Sequence, residues 1–365
     1  MNSKLRTNCI DIGYIIPRDN NFDLIRLFAA FQVVFLHSKG HLHIKNDYLD
    51  LFSGYFFGFF PGVPIFFIIS GFLIYASLDK NKNNIKQYMK NRILRIYPAL
   101  WVCIAICASL LLLADNNNEI FSSGYFYLWL IGQGSFFQFY TPDILRFWGV
   151  GTPNGSLWTI TIELQFYLLL PVLYMLLNRF KSGLWIFSIL FGGSIIVNWI
   201  LGGMVNTNNL YVKLSAMTIF PYLYYFLIGV VLYRNWQKIQ QYFLGKFFFW
   251  FVGYLMFSLF FSNRLGFDTS SHWVHTPINI VSDMILAGVV LSTAFTNIKL
   301  SHKILKGYDI SYGMYIYHML VVNVLVQYDY VGNLFFLILS WIITIILALL
   351  SWVFIEKPIL KLKYI

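Results

Sequence analysis

The sequence predicts an all-α integral membrane protein, and two observations lead to that class. Of the 365 residues, 58% are hydrophobic and only 11% are charged, whereas a soluble domain carries about 25% charged residues. Apolar runs long enough to cross a bilayer recur along the whole chain. A chain with so few charges cannot cover its surface in water, so we expect one membrane domain over residues 1–365, with no fused soluble domain.

Ten apolar runs have the length of transmembrane helices. They lie at 22–38, 58–78, 97–114, 157–177, 184–201, 216–233, 246–262, 278–295, 310–327 and 334–355. A further run at 125–140 is short and is interrupted by Gly132, Gln133 and Gly134. No small-residue cleavage site follows the first run, so we expect that run to be a retained membrane helix rather than a signal peptide.

The basic residues predict the orientation of these helices, because lysine and arginine accumulate in cytoplasmic loops. If segment 125–140 does not cross the membrane, 21 of the 26 basic residues fall on the cytoplasmic side; outside lie Lys39, Lys45, Arg146, Lys213 and Arg264. We therefore expect about ten helices, both termini in the cytoplasm and a non-spanning outer segment at 125–140. The short, scattered clusters also argue against a nucleic-acid partner, despite a net charge of +11.

Cys9, Cys103 and Cys107 form neither a metal-binding nor a disulfide pattern. We expect no metal site and no internal repeat. A secondary transporter, the main alternative to an enzyme for such a bundle, commonly has inverted repeats.

Ionisable residues inside membrane helices are costly and are commonly functional. Arg26 and His37 are eleven residues apart in the first predicted helix, about 16 Å along its axis and close to a whole number of turns, so both project from nearly one face. Glu163 lies in the fourth predicted helix, near its outer end, and His318 lies in the ninth. The simpler alternatives are a snorkelling anchor for Arg26 and structural hydrogen bonds for the others. We expect Asp283 to be structural.

Two arginines stand in the basic segment before the third predicted helix. Arg92 and Arg95 are three residues apart and share one helical face. Paired guanidinium groups can bind phosphates with two hydrogen bonds each. The alternative is a plain topology anchor, for which this spacing is not needed.

Taken together, these segments resemble the acyltransferase-3 superfamily of membrane acyltransferases. Arg26 and His37 are similar to its paired Arg and His, and the other matching segments follow in order. They are G-V-P-I-F-F-I-I-S-G-F-L-I at 62–74, R-I-L-R-I-Y-P at 92–98, S-L-W-T-I-T-I-E at 156–163, S-Y-G-M-Y-I-Y-H at 311–318 and I-E-K-P at 355–358. The sequence departs from the family at Leu27 and Phe28, where many members have Gly and a small apolar residue, and it has no segment like the esterase-like domain that some members add.

The resemblance implies a bacterial inner-membrane enzyme. It implies transfer of an acyl group, usually acetyl, from cytoplasmic acyl-CoA as co-substrate to a hydroxyl of an extracytoplasmic glycan, either free or lipid-linked, such as LPS O-antigen or capsule. No bound cofactor is implied. The identity of the glycan, the length of the acyl chain and the oligomeric state are left open.

The resemblance also implies roles for particular residues. His37 would be the general base or the acyl carrier, with Glu163 near it to orient it, and the choice between direct transfer and an acyl-His relay is open. Arg26 would stabilise the thioester oxyanion or the CoA end of the path. Arg92 and Arg95 would bind the CoA phosphates. The supporting residues would be Ser156, Trp158, His318 and Ser70.

Overall fold

The computed structural model describes residues 16–17, 19–80, 84–115, 119–179, 184–204, 207, 209–266 and 273–364. Within these ranges the regular secondary structure is entirely helical, which confirms the predicted all-α class. Five of the basic residues counted above and one of the cysteines lie outside the described part of the chain. They are Lys4, Arg6, Arg18, Lys82, Lys181 and Cys9.

The body of the molecule is built from long helices and their bent partners. They are α1 (Phe22–His41), α2 (Gly62–Lys80), α3 (Ile85–Ala114), α4 (Gly124–Gly134), α5 (Trp158–Arg179), α6 (Leu184–Met204), α7 (Leu210–Ala216), α8 (Leu223–Arg234), α9 (Phe247–Leu259), α10 (Pro277–Ala294), α11 (Ser311–Gln327) and α12 (Leu334–Ser351). Short helical turns connect or extend them at Asp47–Phe52, Ser53–Phe57, Glu119–Ser122, Asp143–Leu145, Gly155–Leu157, Phe220–Tyr222, Trp236–Ile239, Gln240–Tyr242, Phe260–Arg264, Leu300–Leu305, Trp352–Glu356, Lys357–Leu360 and Lys361–Tyr364.

Six helical segments among the described residues are long and apolar enough to cross a membrane. They are Asp47–Lys80, Ile85–Ala114, Gly155–Asn178, Leu184–Met204, Pro277–Ala294 and Leu334–Lys363. Two bent pairs raise the number to eight if each pair is one span: Leu210–Ala216 with Phe220–Arg234, bent by 50°, and Trp236–Tyr242 with Phe247–Ser262, bent by 79°. These eight correspond to eight of the ten predicted spans. The other two predictions fall on α1 and α11, the helices that carry Arg26, His37 and His318.

The segment predicted not to cross the membrane contains a helix that is too short to do so. α4 has eleven residues, which rise about 16 Å, roughly half of the ~30 Å hydrocarbon thickness. It lies against α3, where Tyr97 Oη donates to the carbonyl oxygen of Ser135 at 3.0 Å and Trp101 Nε1 donates to that of Gly134 at 3.0 Å. These bonds satisfy the carbonyls at the end of the helix.

Several helix starts are defined by polar side chains. The side chain of Asn84 accepts a hydrogen bond from the Gln87 amide at the start of α3, and that of Asn333 accepts one from Phe335 at the start of α12. Thr276 and Asn279 form a capping box at α10. Such caps satisfy amides that have no partner within the helix.

Helix packing at the centre depends on two glycines. A Cβ atom on Gly71 of α2 would lie 2.1 Å from the carbonyl oxygen of Phe226, and one on Gly229 of α8 would lie 2.2 Å from that of Ile68. Only glycine permits this approach of two backbones. Gly71 belongs to the G-V-P-I-F-F-I-I-S-G-F-L-I segment, so part of that motif is explained by packing of α2 on α8.

Asp283 has the structural contact expected of it. The carboxylate is buried in α10 and its Oδ2 accepts a hydrogen bond from Tyr224 Oη of α8 at 3.0 Å.

Candidate active site

A cavity between the helices gathers five of the predicted site residues from four helices. It lies at the end of the bundle that contains the basic first turns of α3, here called the basic end. We call it the arginine cavity. Its polar lining includes Arg26 of α1, Ser70 of α2, Arg92 and Arg95 of α3 and Glu163 of α5. Apolar residues such as Val63, Phe66 and Ile96, and the tyrosines Tyr167, Tyr312 and Tyr315, complete the wall.

Arg95 is committed to an internal ion pair. Its Nη2 lies 2.5 Å from Asp309 Oδ2, and its Nη1 lies 3.9 Å from Glu356 Oε2. Ser311 Oγ donates to the other oxygen of Asp309 at 2.6 Å. Burial alone would raise the pKa of Asp309, but Arg95 and then Arg26 beside it hold that pKa below its ordinary value. Arg95 thus ties α3 to the start of α11 and to the helical turns after α12.

Arg92 has a different environment. Its Nη2 donates to Ser77 Oγ at 3.4 Å and its guanidinium lies 5.8 Å from the ring centre of Tyr167. Its Nε is buried without a hydrogen-bond partner. Among the described residues, Arg92 forms no ion pair. Of the two arginines in the motif, Arg92 is therefore the one whose charge is not already matched by a carboxylate.

Glu163 belongs to the arginine cavity. Its Oε1 accepts a hydrogen bond from Ser70 Oγ at 3.1 Å and a short one from Tyr167 Oη. Arg26 lines the same cavity, and its Nη1 lies 3.3 Å from Asp23 Oδ1, one helical turn away. A carboxylate and several guanidinium groups therefore share one lining at the basic end.

His37 and His318 form a direct pair toward the opposite end of the bundle. His37 Nδ1 lies 2.9 Å from His318 Nε2, and the rings stack with centres 5.1 Å apart. His318 Nδ1 lies 2.7 Å from the carbonyl oxygen of Tyr315. His318 is fully buried at 0% exposure, whereas His37 is partly exposed. We call this pair the histidine layer.

The predicted supporting residue Ser156 reaches the histidine layer through α11. Its Oγ lies 2.8 Å from Asn154 Oδ1 and 3.3 Å from the same Tyr315 carbonyl oxygen that His318 contacts. Thr159 Oγ1 lies 2.6 Å from Tyr315 Oη. The start of α5 therefore holds both the backbone and the side chain of Tyr315.

The loop that leads into this segment is fastened to α11 farther along. Asn323 Oδ1 accepts from the Val150 amide at 2.8 Å, and its Nδ2 donates to the carbonyl oxygen of Pro153 at 3.0 Å. Gly149 has a φ of +53°, and a Cβ there would lie 2.1 Å from Asn323 Oδ1. Glycine is needed at this position for both reasons.

The arginine cavity and the histidine layer are separate but connected. Thr159 and Tyr315 stand at one level. From that level, Glu163 lies four residues farther along α5, toward the basic end. His318 lies three residues farther along α11, away from the basic end. Seven residues at about 1.5 Å each make the separation roughly 10 Å along the axes. Tyr315 takes part in both regions, since it lines the cavity and contacts His318.

This geometry corrects one expectation. The family resemblance implied that Glu163 lies near His37 and orients it. In the structure His37 is paired with His318, and Glu163 is bonded to Ser70 and Tyr167. Glu163 stands about one and a half turns inside α5, and that depth brings it to the level of the cavity instead of the histidine layer.

The remaining predicted residue, Trp158, is a packing residue in the structure, with its ring 5.5 Å from that of Tyr222. Cys103 and Cys107 are free, buried thiols. Among the described residues no group of three or more His, Cys, Asp or Glu side chains could hold a metal ion.

Sequence reasoning missed residues that complete the site. Asp309 and Glu356 neutralise Arg95, and Tyr315 links the two regions. The sequence held a signal for two of them: Glu356 lies within I-E-K-P at 355–358, and Tyr315 lies within S-Y-G-M-Y-I-Y-H at 311–318. Asp309, two residues before that segment, had none.

A helical membrane bundle with an arginine-lined cavity next to a pair of histidines has the features of an enzyme that handles an anionic substrate. The comparisons with known proteins define which enzyme. The acyltransferase-3 family model, described as an acyltransferase domain, matches residues 19–356. The chain belongs to this family and is an acyltransferase, which sets aside the transporter alternative.

Individual relatives agree with the family. The chain is 33% identical over 363 residues to nodulation protein 10 of Rhizobium leguminosarum bv. viciae, with 94% of each chain covered. It is 27% identical over 358 residues to an O-acetyl transferase of Shigella phage Sf6, covering 94% of this chain and 96% of that one. A Staphylococcus aureus (strain COL) protein, whose name marks it as a candidate O-acetyltransferase, is 28% identical over 342 residues; the match covers 83% of this chain and 53% of that one. No solved structure matches the chain.

Proposed function

We propose that the protein is a membrane O-acyltransferase that moves an acetyl group from cytoplasmic acetyl-CoA to a hydroxyl of a cell-surface or exported glycan. The observation that carries this proposal is that one residue, Tyr315, both lines the arginine cavity and contacts His318 of the histidine layer. Two relatives are named for O-acetyl transfer, which favours acetyl over longer acyl groups.

The donor would bind by its phosphates in the arginine cavity. Among the residues that the structure describes, Arg92 forms no ion pair with a carboxylate, and its buried Nε has no hydrogen-bond partner. Arg95 adds positive charge but is held by Asp309 and Glu356, so its role is to shape the cavity as much as to bind. Arg26 would meet the CoA end of the thioester path. Acetyl-CoA acts as co-substrate and no resident cofactor is needed.

The chemistry would take place at His37. A neutral imidazole suits removal of the proton from an acceptor hydroxyl, or direct attack on the thioester carbonyl. His37 is the partly exposed member of the pair, so it can meet the substrates. Glu163 would act in the cavity, where its hydrogen bonds to Ser70 and Tyr167 keep that wall in place.

The proposed topology has α1 and α11 crossing the membrane together with the eight other spans. The termini and the basic end would then face the cytoplasm, and segment 125–140 would lie at the outer surface. The positive-inside distribution of the basic residues supports this orientation. In a bacterium the protein would be a multi-pass protein of the inner membrane, with the glycan, free or lipid-linked, on the outer side. LPS O-antigen and capsule are the proposed acceptor classes.

Mass analysis of surface polysaccharide tests the proposal. Cells that express the chain should carry acetylated glycan, and cells that express His37→Ala should not, at equal amounts of protein in the membrane. His302→Ala is the matched control, because His302 is an exposed histidine away from the site. Acetylation by the His37→Ala protein at the level of the unmodified chain would refute the proposed role of His37.

A further inference from the structure

The contacts of His318 determine where its proton lies. Its Nδ1 is 2.7 Å from the carbonyl oxygen of Tyr315. A carbonyl oxygen can only accept a hydrogen bond, so Nδ1 must carry the hydrogen. A neutral imidazole has one N–H, and the other nitrogen is an acceptor. The Nε2 of neutral His318 therefore presents a lone pair.

The same logic then applies to His37. Its Nδ1 lies 2.9 Å from His318 Nε2, which is an acceptor, so Nδ1 of His37 must donate. This leaves Nε2 of His37 without a hydrogen when the ring is neutral. The chain of contacts from Tyr315 through His318 thus selects one of the two tautomers of His37.

Burial separates the roles of the two rings. His318 has 0% exposure and both of its ring nitrogens are engaged. His37 is partly exposed and has one nitrogen left over. Only His37 can meet a substrate, and His318 can act only through His37.

We propose that His318 is a positioning residue that holds His37 in the tautomer whose Nε2 is free to react, and that segment 154–159 holds His318 through Tyr315. This inference rests on the proposed function. It gives the S-L-W-T segment a purpose in the reaction, since Ser156 and Thr159 fix the backbone and side chain of Tyr315.

The free Nε2 is the atom that both routes of transfer require. In direct transfer it takes the proton of the acceptor hydroxyl while the hydroxyl oxygen bonds to the thioester carbonyl carbon. The C–S bond breaks with its electrons on sulfur, and the proton passes from His37 to the thiolate. In the acyl-His route, Nε2 itself bonds to that carbon as the C–S bond breaks. The acceptor oxygen then bonds to the same carbon and displaces Nε2 of His37, and the proton of the acceptor hydroxyl goes to the thiolate.

A carboxylate often holds a catalytic histidine in the required tautomer. Here a buried neutral histidine and a backbone carbonyl do so, while Glu163 is bonded to Ser70 and Tyr167 at the cavity.

Nitrogen-15 NMR spectroscopy of histidine-labelled protein in lipid bilayers tests the inference without relying on activity. The signals of His37 are assigned by their loss in His37→Gln. In the unmodified protein we expect His37 with a protonated Nδ1 and an unprotonated Nε2. A proton on Nε2 of His37 would overturn the inference. If acetyl transfer is absent but the expected tautomer is found, the proposed function fails while the structural assignment stands.

Two variants of His318 connect the tautomer to turnover. Gln can accept from His37 through Oε1 and donate to the Tyr315 carbonyl through its amide, so His318→Gln should retain the tautomer and much of the activity. His318→Leu is of similar size but removes the acceptor, so Nε2 of His37 should become protonated and turnover should fall about a hundredfold or more. The KM for acetyl-CoA should stay unchanged in both. Equal turnover in the two variants, or a change only in KM, would contradict a positioning role, and exposed His302→Gln serves as control.

Discussion

The arginine cavity and the histidine layer stabilise polar groups inside a membrane protein in different ways. In the cavity, charges are matched by charges: Arg95 is neutralised by Asp309 and Glu356. In the histidine layer the groups are held by hydrogen bonds between neutral partners and a backbone carbonyl. The first arrangement is suited to holding an anionic donor, and the second to moving a proton where charge is costly.

The two regions are therefore expected to affect different steps, donor binding and group transfer. Changes in the histidine layer should alter turnover and leave donor affinity unchanged. Changes in the arginine cavity should chiefly alter donor affinity. The roughly 10 Å between the two regions makes their effects separable.

The largest effect is expected for His37→Ala. Loss of the reacting nitrogen should lower turnover by about 10²–10⁴-fold, the range for a general acid–base group. Binding of acetyl-CoA, measured by calorimetry on the purified protein, should match that of the unmodified chain. Loss of donor binding in a well-folded His37→Ala protein would mean that the two regions are not distinct.

The next largest effect is expected for Arg92→Ala. Removal of a guanidinium that no carboxylate neutralises should weaken acetyl-CoA binding by roughly 1.5–3 kcal/mol, about 10- to 100-fold. Turnover at saturating donor should change little. Lys90→Ala is the matched control, since Lys90 is an exposed cation on the same helix. Cysteine labelling from each side of the membrane should show unchanged topology, whereas an altered topology with normal affinity would favour the anchor role.

Arg95→Ala should behave unlike Arg92→Ala. It would leave the buried Glu356 and the half-buried Asp309 without their cation. Breaking a fully buried pair costs about 3–5 kcal/mol, and the partial exposure of Arg95 and Asp309 lowers that cost here. We expect a lower thermal stability of the detergent-solubilised protein in addition to weaker donor binding. A stability equal to that of Arg92→Ala would show that the ion pair contributes little to the fold.

An intermediate effect is expected for Glu163→Gln, and its combination with His37→Ala sharpens the comparison. Gln keeps the size and an acceptor oxygen for Ser70 and Tyr167 but loses the charge. Because the two side chains lie in different regions, their losses in kcat/KM should multiply. If the double variant were as active as the less active of the two single variants, the two side chains would act as one unit. That result would support the pairing of Glu163 with His37 that was expected from the sequence.

The smallest effect is expected for Ser70→Ala. It removes one hydrogen bond to Glu163, which is worth about 1.5–3 kcal/mol at most for a charged acceptor. Tyr167 remains to hold the carboxylate, so a change in KM for acetyl-CoA of less than tenfold is expected. A loss as large as that of His37→Ala would give Ser70 a direct part in the reaction.

Much of the fold followed from the sequence because membrane helices obey strong local rules. At eight of the predicted spans the structure has apolar helices long enough to cross a membrane, six as single helices and two as bent pairs, and within the interrupted run at 125–140 lies the short helix α4. Helix bounds were less predictable: α3 begins at Ile85 rather than 97, since its basic first turns are helical before the apolar run begins.

The ionisable residues that the two regions bring together could be singled out from the sequence, and their pairings could not. Arg26, His37, Glu163 and His318 could be identified because ionisable groups are rare in membrane helices. Which of them meet depends on how helices rotate and shift against one another, and no single-helix pattern contains that information. The pairing of His37 with His318 joins residues 281 positions apart, and that of Arg95 with Asp309 joins residues 214 apart.

The most direct test of the account uses membrane vesicles of known orientation with labelled acetyl-CoA on one side. The vesicles contain the unmodified chain and endogenous glycan, and they are sealed so that the donor cannot cross. The account predicts label on the glycan when acetyl-CoA is supplied to the face with the arginine cavity, and none when it is supplied only to the opposite face. Transfer that requires acetyl-CoA on the face of the histidine layer would contradict the account.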